Sequence, residues 1–136
     1  MSFGNTAENN MMAYIFNTTA PSWAGNSDFY LALHTSDPGE AGNQTTNEVA
    51  YTSYARIPIA RSSGGFTVSG NQATNTALVQ FPLCTGSSAT ATHFSIGTAS
   101  TSTGQIIMKG PLDSSLPIST GIQPQFPAGD LVASLD

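Results

Sequence analysis

The spacing of apolar residues changes once along this chain, near residue 28. Before that point the only regular pattern has the period of a helix. After it, apolar residues alternate with polar ones, as they do in β-strands. We therefore expect an N-terminal helical arm and linker at residues 1–28 and a β-sandwich at residues 29–136, within a single domain overall.

The helix is predicted to begin at Asn5 and to reach Phe16, because Met12, Ile15 and Phe16 are spaced i, i+3 and i+4. Asn5 is expected to cap the first turn, with Glu8 three residues later in the reciprocal position of a capping box. A helix of about 12 residues is marginal alone in water, so its apolar stripe is expected to be buried against the body or against a partner.

About eight short strands, spaced roughly ten residues apart, are predicted in the body. The alternating apolar sets are Phe29/Leu31/Leu33, Ala55/Ile57/Ile59, Ala77/Val79/Phe81, Phe94/Ile96, Ile106/Met108, Ile122/Phe126 and Leu131/Ala133/Leu135, with two further β-prone runs at residues 66–69 and 72–75. Turn clusters are expected at residues 85–88, 98–104, 113–115 and 127–130.

Local turn chemistry adds three expectations. Gly70 and Asn71, between two β-prone runs, predict a two-residue hairpin loop. Pro38 and Gly39 occupy the central positions of a type II turn. Pro58 within a strand pattern indicates an edge strand or a bulge.

The pattern indicates an all-β fold, a jelly-roll β-sandwich of about eight strands with a short N-terminal helical arm. An up-and-down barrel and an immunoglobulin-like sandwich are the alternatives.

Charge is scarce in this chain. Charged residues make up 8% of it, the net charge is −5, and the only basic residues are Arg56, Arg61 and Lys109. Serine and threonine supply about a quarter of the residues, so the surface is expected to be neutral and rich in hydrogen-bonding groups. Such a surface suits a protein packed into an assembly. It argues against nucleic-acid binding, which needs a basic patch.

The N-terminus has no cationic residue and no long apolar run, which does not fit a secretory signal. No stretch approaches the roughly 20 apolar residues of a membrane helix. Synthesis and folding in the cytosol, without a membrane partner, are therefore expected.

Candidate chemistry begins with His34, Ser36 and Asp37, which are close in sequence. A nucleophile triad needs such residues to meet in space, but His34 alternates with Leu33 on a strand and the next residues are typical of a turn. We expect no catalytic site here.

Metal binding through nitrogen and sulfur could use only His34, His93 and Cys84, one ligand short of a closed zinc site. Asp37 and the later acidic residues of the polar connection lack the spacing of a calcium loop. Cys84 has no disulfide partner and is expected to be a small buried residue. No metal or cofactor is expected.

Aromatic and apolar residues of the arm are the candidate partner contacts, namely Met12, Tyr14, Phe16 and Trp23. Either the arm folds back to cap one end of the sandwich, or it docks on a neighbouring subunit, since aromatic residues dominate interface hot spots.

Several runs of residues occur in a familiar order, at 31–42, 47–51, 54–56, 66–71, 81–82, 93–98, 121–126 and 128–131. In this order they resemble a family of small virion proteins of tailed bacteriophages and prophages, over about residues 29–134. Some members are cement (decoration) proteins of the head, and others carry a tail-fibre label. The arm lies outside this resemblance.

The resemblance implies a jelly-roll body without catalytic residues, bound outside a lattice of major capsid protein. It is usually a dimer or trimer at a symmetry axis. We therefore expect a non-enzymatic capsid cement protein on the outer head surface that clamps neighbouring major capsid protein subunits and contacts itself as a homodimer or homotrimer. A tail or tail-fibre component is one alternative. The other is a carbohydrate-binding jelly-roll module, for which Trp23 is the only tryptophan available.

Overall fold

The protein is described by a computed structural model over residues 1–135, which contains one helix and ten strands. The elements are β1 (Ser2–Phe3), α1 (Asn5–Asn17), β2 (Asp28–His34), β3 (Ile57–Ala60), β4 (Phe66–Ser69), β5 (Gln72–Asn75), β6 (Val79–Gln80), β7 (Ala89–Gly97), β8 (Ile106–Ile118), β9 (Gln125–Phe126) and β10 (Val132–Ser134). Within these residues, α1 is too short and too polar to cross a membrane.

The strands form three antiparallel sheets. The large sheet has the order β1-β8-β7-β2-β3, the hairpin sheet has the order β10-β5-β4, and β6 pairs with β9. The predicted all-β class with one N-terminal helix is confirmed, while the jelly-roll strand order stays a prediction. β1 belongs to the large sheet through its pairing with β8, so the first residues of the predicted arm are joined to the body.

The core lies on one face of the large sheet. Leu31 and Leu33 of β2 face Ile96 and Phe94 of β7 across the ladder, and all four side chains are buried. Phe81 lies among them with its ring stacked 6.0 Å from that of Tyr54. The other buried residues of this core are Val49, Tyr51, Ile59, Val79, Cys84, Ala91, Ile118 and Leu131. The prediction that Cys84 is a small buried residue is confirmed.

The opposite face of β2 is also buried, which the alternating pattern did not predict. Ala32 and His34 are fully inaccessible. The loop before β3 covers them: Gln44 donates from Nε2 to the carbonyl oxygen of Tyr30 at 2.9 Å, and the carbonyl of Thr46 contacts the His34 ring. A central strand buried on both faces does not need an outward polar row.

Two of the glycines with positive φ, Gly70 and Gly39, lie where turns were predicted. Gly70, with φ +60°, joins β4 to β5 in the predicted hairpin register, as the first central residue of a type II′ turn. Gly39 has the positive φ, +75°, that the prediction requires, but the hydrogen-bonded turn runs from the Gly39 carbonyl to the Gly42 amide, so the type II turn centred on Pro38 and Gly39 stays a prediction. β3 pairs only with β2, so Pro58 lies in an edge strand as predicted.

Two local predictions are wrong. The N-cap of α1 is Gly4, not Asn5, and no side chain caps the helix. Gly4 approaches β8 so closely that a Cβ would lie 2.6 Å from the carbonyl oxygen of Ile106, which leaves no room for a longer capping residue.

The predicted turn at residues 113–115 is not a chain reversal, because β8 continues through it. Ala91 pairs with Leu116 and His93 pairs with Pro111, so the residues between Pro111 and Leu116 bulge opposite the single residue Thr92. The polar sequence marks a bulge instead of the end of a strand.

Candidate partner-binding surfaces

α1 carries an apolar stripe that the body does not cover. The helix packs on β8 through Ala7, which contacts Ile107 and Met108. At about 100° per residue, Met12 and Phe16 lie about 140° and about 180° around the helix from Ala7, and Ile15 lies beside Met12, about 80° from Ala7. The exposed fractions of Met12, Ile15 and Phe16 are 56%, 65% and 72%. We call these three residues the helix stripe. The expectation that the stripe is buried against the body is wrong. The alternative, that a partner buries the stripe, stays a prediction.

The other two candidate contact residues have different surroundings. Tyr14 is exposed on α1, outside the stripe. Trp23 is half-buried, with its ring edge-on to Phe29 at 5.8 Å and the guanidinium of Arg61 over its ring at 5.4 Å. Trp23 is therefore packed into the body and does not offer the open aromatic face that a sugar platform needs.

A second uncovered surface is a groove of about 570 Å³ between the large sheet and the hairpin sheet. Its lining is almost wholly apolar, with Arg61, Ser62 and Ser63 at the rim. The apolar lining residues are Phe3, Phe29, Phe66, Val68, Ala73, Ile96, Ile107, Met108 and Ala133. We call this feature the apolar groove. It exists because the short strands of the hairpin sheet do not close over the β1 side of the large sheet.

Sequence reasoning missed the apolar groove, because its lining comes from segments far apart in the chain. One local feature points to it. Phe66 and Val68 share a face of β4, yet Val68 is 74% exposed. An apolar strand face without cover indicates a place where something else packs.

Arg61 is the one basic side chain that has no carboxylate partner within residues 1–135. Its Nη1 donates to the carbonyl oxygens of Trp23, Ala24 and Asn26 at 2.7 to 3.1 Å, and its guanidinium lies 4.7 Å from the ring centre of Phe29. It thereby ties the linker before β2 to the rim of the apolar groove.

The other two basic residues form ion pairs inside the chain. Arg56 donates from Nε and Nη2 to the two carboxylate oxygens of Glu48 at 2.7 and 2.8 Å, and to two loop carbonyls. Tyr54 donates to the same carboxylate, and burial raises the pKa of Tyr54. Lys109 pairs with Asp37 at 2.9 Å. None of these carboxylates is available as an open metal ligand.

His34, Ser36 and Asp37 do not form a site together. His34 is buried, with Nδ1 2.8 Å from the carbonyl oxygen of Thr46 and Nε2 2.7 Å from Oγ of Ser95. Since a carbonyl only accepts, Nδ1 carries the proton and the Ser95 hydroxyl donates to Nε2. Burial lowers the pKa of His34 below its ordinary value of 6.5, which keeps the ring neutral.

Ser36 is exposed, and the hydrogen bonds of the His34 ring go to Thr46 and Ser95 instead. Asp37 accepts from the Gly39 amide and binds Lys109, and these interactions, in that order, lower the pKa of Asp37. Histidine, cysteine and carboxylate side chains within residues 1–135 form no cluster of three that could hold a metal ion. His93 is half-exposed, and its Nδ1 is hydrogen-bonded to the hydroxyl of Thr92 at 2.8 Å.

An all-β body with an uncovered helix stripe and an uncovered apolar groove has the surfaces of a subunit in a larger assembly. The chain belongs to the family described as Podophage GP4 fiber I protein gp80, whose sequence profile matches residues 2–134. It is therefore a structural protein of the bacteriophage particle. The match includes the N-terminal arm, which the resemblance noticed in the sequence left out. No curated protein matches the chain.

Proposed function

We propose that the protein is a non-enzymatic subunit of a phage fibre, held to its neighbours in the particle mainly by apolar contacts. The family description supports the fibre assignment. The observation that carries the mode of attachment is the helix stripe: three large apolar side chains face solvent on a helix whose other side packs on the body. A soluble monomer gains nothing from that arrangement, whereas a subunit buries the stripe on assembly.

A second candidate is the capsid cement protein expected from the sequence, on the outer head surface between subunits of the major capsid protein. The compactness of the body favours it. Short strands around one core, with a longest strand of 13 residues, suit a clamp at least as well as an extended shaft.

Localisation on intact particles tests the two candidates against each other. Antibody or gold labelling confined to fibres or to the tail supports the proposed function. Labelling spread over the head supports the cement role instead.

Salt dependence tests the mode of attachment. Two of the three basic residues are paired internally and Arg61 is partly committed to backbone carbonyls, so few ion pairs can form with a neighbour. We expect the protein to remain bound to particles when sodium chloride rises from about 0.1 to about 1 M, where the screening length falls from about 10 to about 3 Å. We expect urea to release it. Release by salt alone contradicts apolar attachment.

A further inference from the structure

We propose that the helix stripe of one copy docks into the apolar groove of a second copy, so that the chain assembles head to tail. This inference deepens the proposed function by naming the neighbour of the stripe, and it rests on the stripe being a docking surface. It holds for either location in the particle.

The two surfaces are both unfilled within a single chain. Met12, Ile15 and Phe16 are exposed to solvent and none of them lines the groove, so a copy does not fill its own groove with its own stripe. Val68 at the groove wall is more exposed than any residue of the stripe. One chain thus carries an apolar projection and an apolar cavity, each lacking a partner among the described residues.

Their dimensions are compatible. From Met12 to Phe16 the stripe spans about 6 Å of helix axis, at about 1.5 Å per residue. A cavity of about 570 Å³ falls in the range of about 300–1,000 Å³ that accepts a ligand of many atoms. Laying the apolar face of a short helix into such a groove is a common mode of recognition.

Charge complementarity favours a second copy over an unrelated apolar partner. Glu8 lies one turn before Met12, on the side of α1 that carries the stripe, and is exposed, with no ion pair to another described residue. Arg61, at the groove rim, has no carboxylate partner within residues 1–135. Docking the stripe into the groove brings together the unpaired acid on one surface and the unpaired base on the other. An exposed pair of this kind is weak, so it sets orientation more than affinity.

The contact joins two different patches, so it is heterologous and propagates from copy to copy. A closed ring of a few copies fills every groove, while an open chain leaves one stripe and one groove at its ends. Either form serves a protein that must build a particle appendage or a multimeric clamp.

Cysteine cross-linking tests the contact directly. Cys84 is buried and stays unreactive, so introduced cysteines report alone. We expect the double variant Phe16→Cys/Val68→Cys to form intermolecular disulfides under mild oxidation, seen as a ladder or a closed oligomer on a non-reducing gel. Each single variant stays unlinked. The matched control Phe16→Cys/Leu83→Cys, which moves the second cysteine to an exposed apolar site outside the groove, also stays unlinked.

Dimers formed by Phe16→Cys alone overturn the proposal, because they mean that two stripes pack on each other. Equal cross-linking of the control double variant overturns it as well, since contact is then unspecific.

Sedimentation of the full-length protein gives a second test that needs no oxidant. We expect Ile15→Asp and Val68→Asp each to weaken self-association by at least about tenfold, while Leu78→Asp, another exposed apolar position away from the groove, leaves it unchanged. Thermal melts confirm that the variants fold. If Val68→Asp associates normally while Ile15→Asp does not, the groove does not receive the stripe.

The failure of this inference differs from a failure of the proposed function. A wild-type protein that is monomeric at high concentration but still joins particles refutes self-docking and leaves the fibre role intact. Particles that lack the protein altogether refute the fibre role whatever its state in solution.

Discussion

Two sides of this molecule differ in which side chains they bury and which they expose. On the loop-covered face of the large sheet, polar groups are buried and paired, as Glu48 is with Arg56 and His34 is with Ser95. On the side of α1 and the hairpin sheet, large apolar groups face solvent. Both buried side-chain nitrogens that lack a partner within residues 1–135, Nε1 of Trp23 and Nε2 of Gln105, also lie beside α1 or the core cluster it packs on.

The difference separates stability from assembly. The first side is complete within one chain, because buried polar groups such as His34 and Arg56 find partners in the covering loops and in neighbouring strands. The second side is incomplete until another molecule covers it. Substitutions on the first side should therefore lower the free energy of unfolding, whereas substitutions on the second should affect assembly.

The largest effect is expected at the internal ion pair. Arg56→Ala leaves the Glu48 carboxylate, whose side chain is 16% exposed, without its partner, and should lower the free energy of unfolding by about 3–5 kcal/mol. Asp37→Asn is the comparison, because the Asp37 side chain is 52% exposed although its partner Lys109 is buried, so its loss should be smaller than that of Arg56→Ala. Urea denaturation measures both. Similar losses in the two variants would mean that burial of the Arg56 pair carries no special weight.

The same substitution at two phenylalanines sharpens the comparison. Phe81→Ala removes a fully buried ring from the core and should cost about 3–5 kcal/mol. Phe16→Ala removes an exposed ring from the helix stripe and should change stability by less than about 0.5 kcal/mol while reducing self-association. A large stability loss from Phe16→Ala in the dilute monomer would mean that the stripe packs within the fold of one chain. Phe16 and Phe81 would then not differ in the way proposed.

A smaller effect is expected at the turn that holds the wall of the apolar groove. Gly70 has φ +60°, so Gly70→Val should destabilise the protein by about 1–3 kcal/mol and weaken assembly as well. Gly70→Asn tolerates the left-handed conformation better and should lose less on both counts. A thermal melt and a sedimentation run on each variant make the comparison. An unchanged melting temperature for Gly70→Val contradicts the hairpin register.

The smallest expected effect is the dependence of stability on pH that His34 causes. It is absent at neutral pH and appears on acidification. Unfolded histidine binds a proton near pH 6.5, while burial lowers the pKa of folded His34. Below that pH the unfolded state therefore binds more protons, and stability falls. Above pH 6.5 the contribution of His34 is fully present. Asp37, whose pKa lies below 3.8 when folded, adds a loss only in more acidic solution.

Urea midpoints between pH 7 and 5 measure this slope. The variant His34→Gln should show a flatter dependence over the same range, even if its absolute stability is lower. If the substitution leaves the change of urea midpoint with pH unaltered, groups other than His34 cause the loss of stability in acid.

Much of the fold is predictable here because alternation along a strand reports directly on which side chains share a face. The sets around Leu31, Phe94 and Met108 all lie in strands. β1 escaped prediction because two residues cannot show a period. The capping role of Asn5 failed because the close approach of Gly4 to Ile106 is a tertiary contact.

The candidate surfaces were predictable only in part. Helical spacing correctly grouped Met12, Ile15 and Phe16, but spacing cannot tell which side of a helix packs on the body. The small side chain of Ala7 decided that, because it allows α1 to lie close to β8. A deletion of residues 1–23 would also remove β1 and Phe3 from the large sheet, so point variants are the better probes of the arm.

The placement of the three basic residues also governs how the protein meets trypsin-like proteases, which cut after lysine and arginine. Arg56 and Lys109 are buried, so hydrolysis at those positions must wait for the chain to unfold. The bond between Arg61 and the exposed Ser62 is the reachable one, and it lies on the rim of the apolar groove. A neighbour seated in that groove shields this bond, so an assembled subunit should outlast a dissolved one in a proteolytic environment.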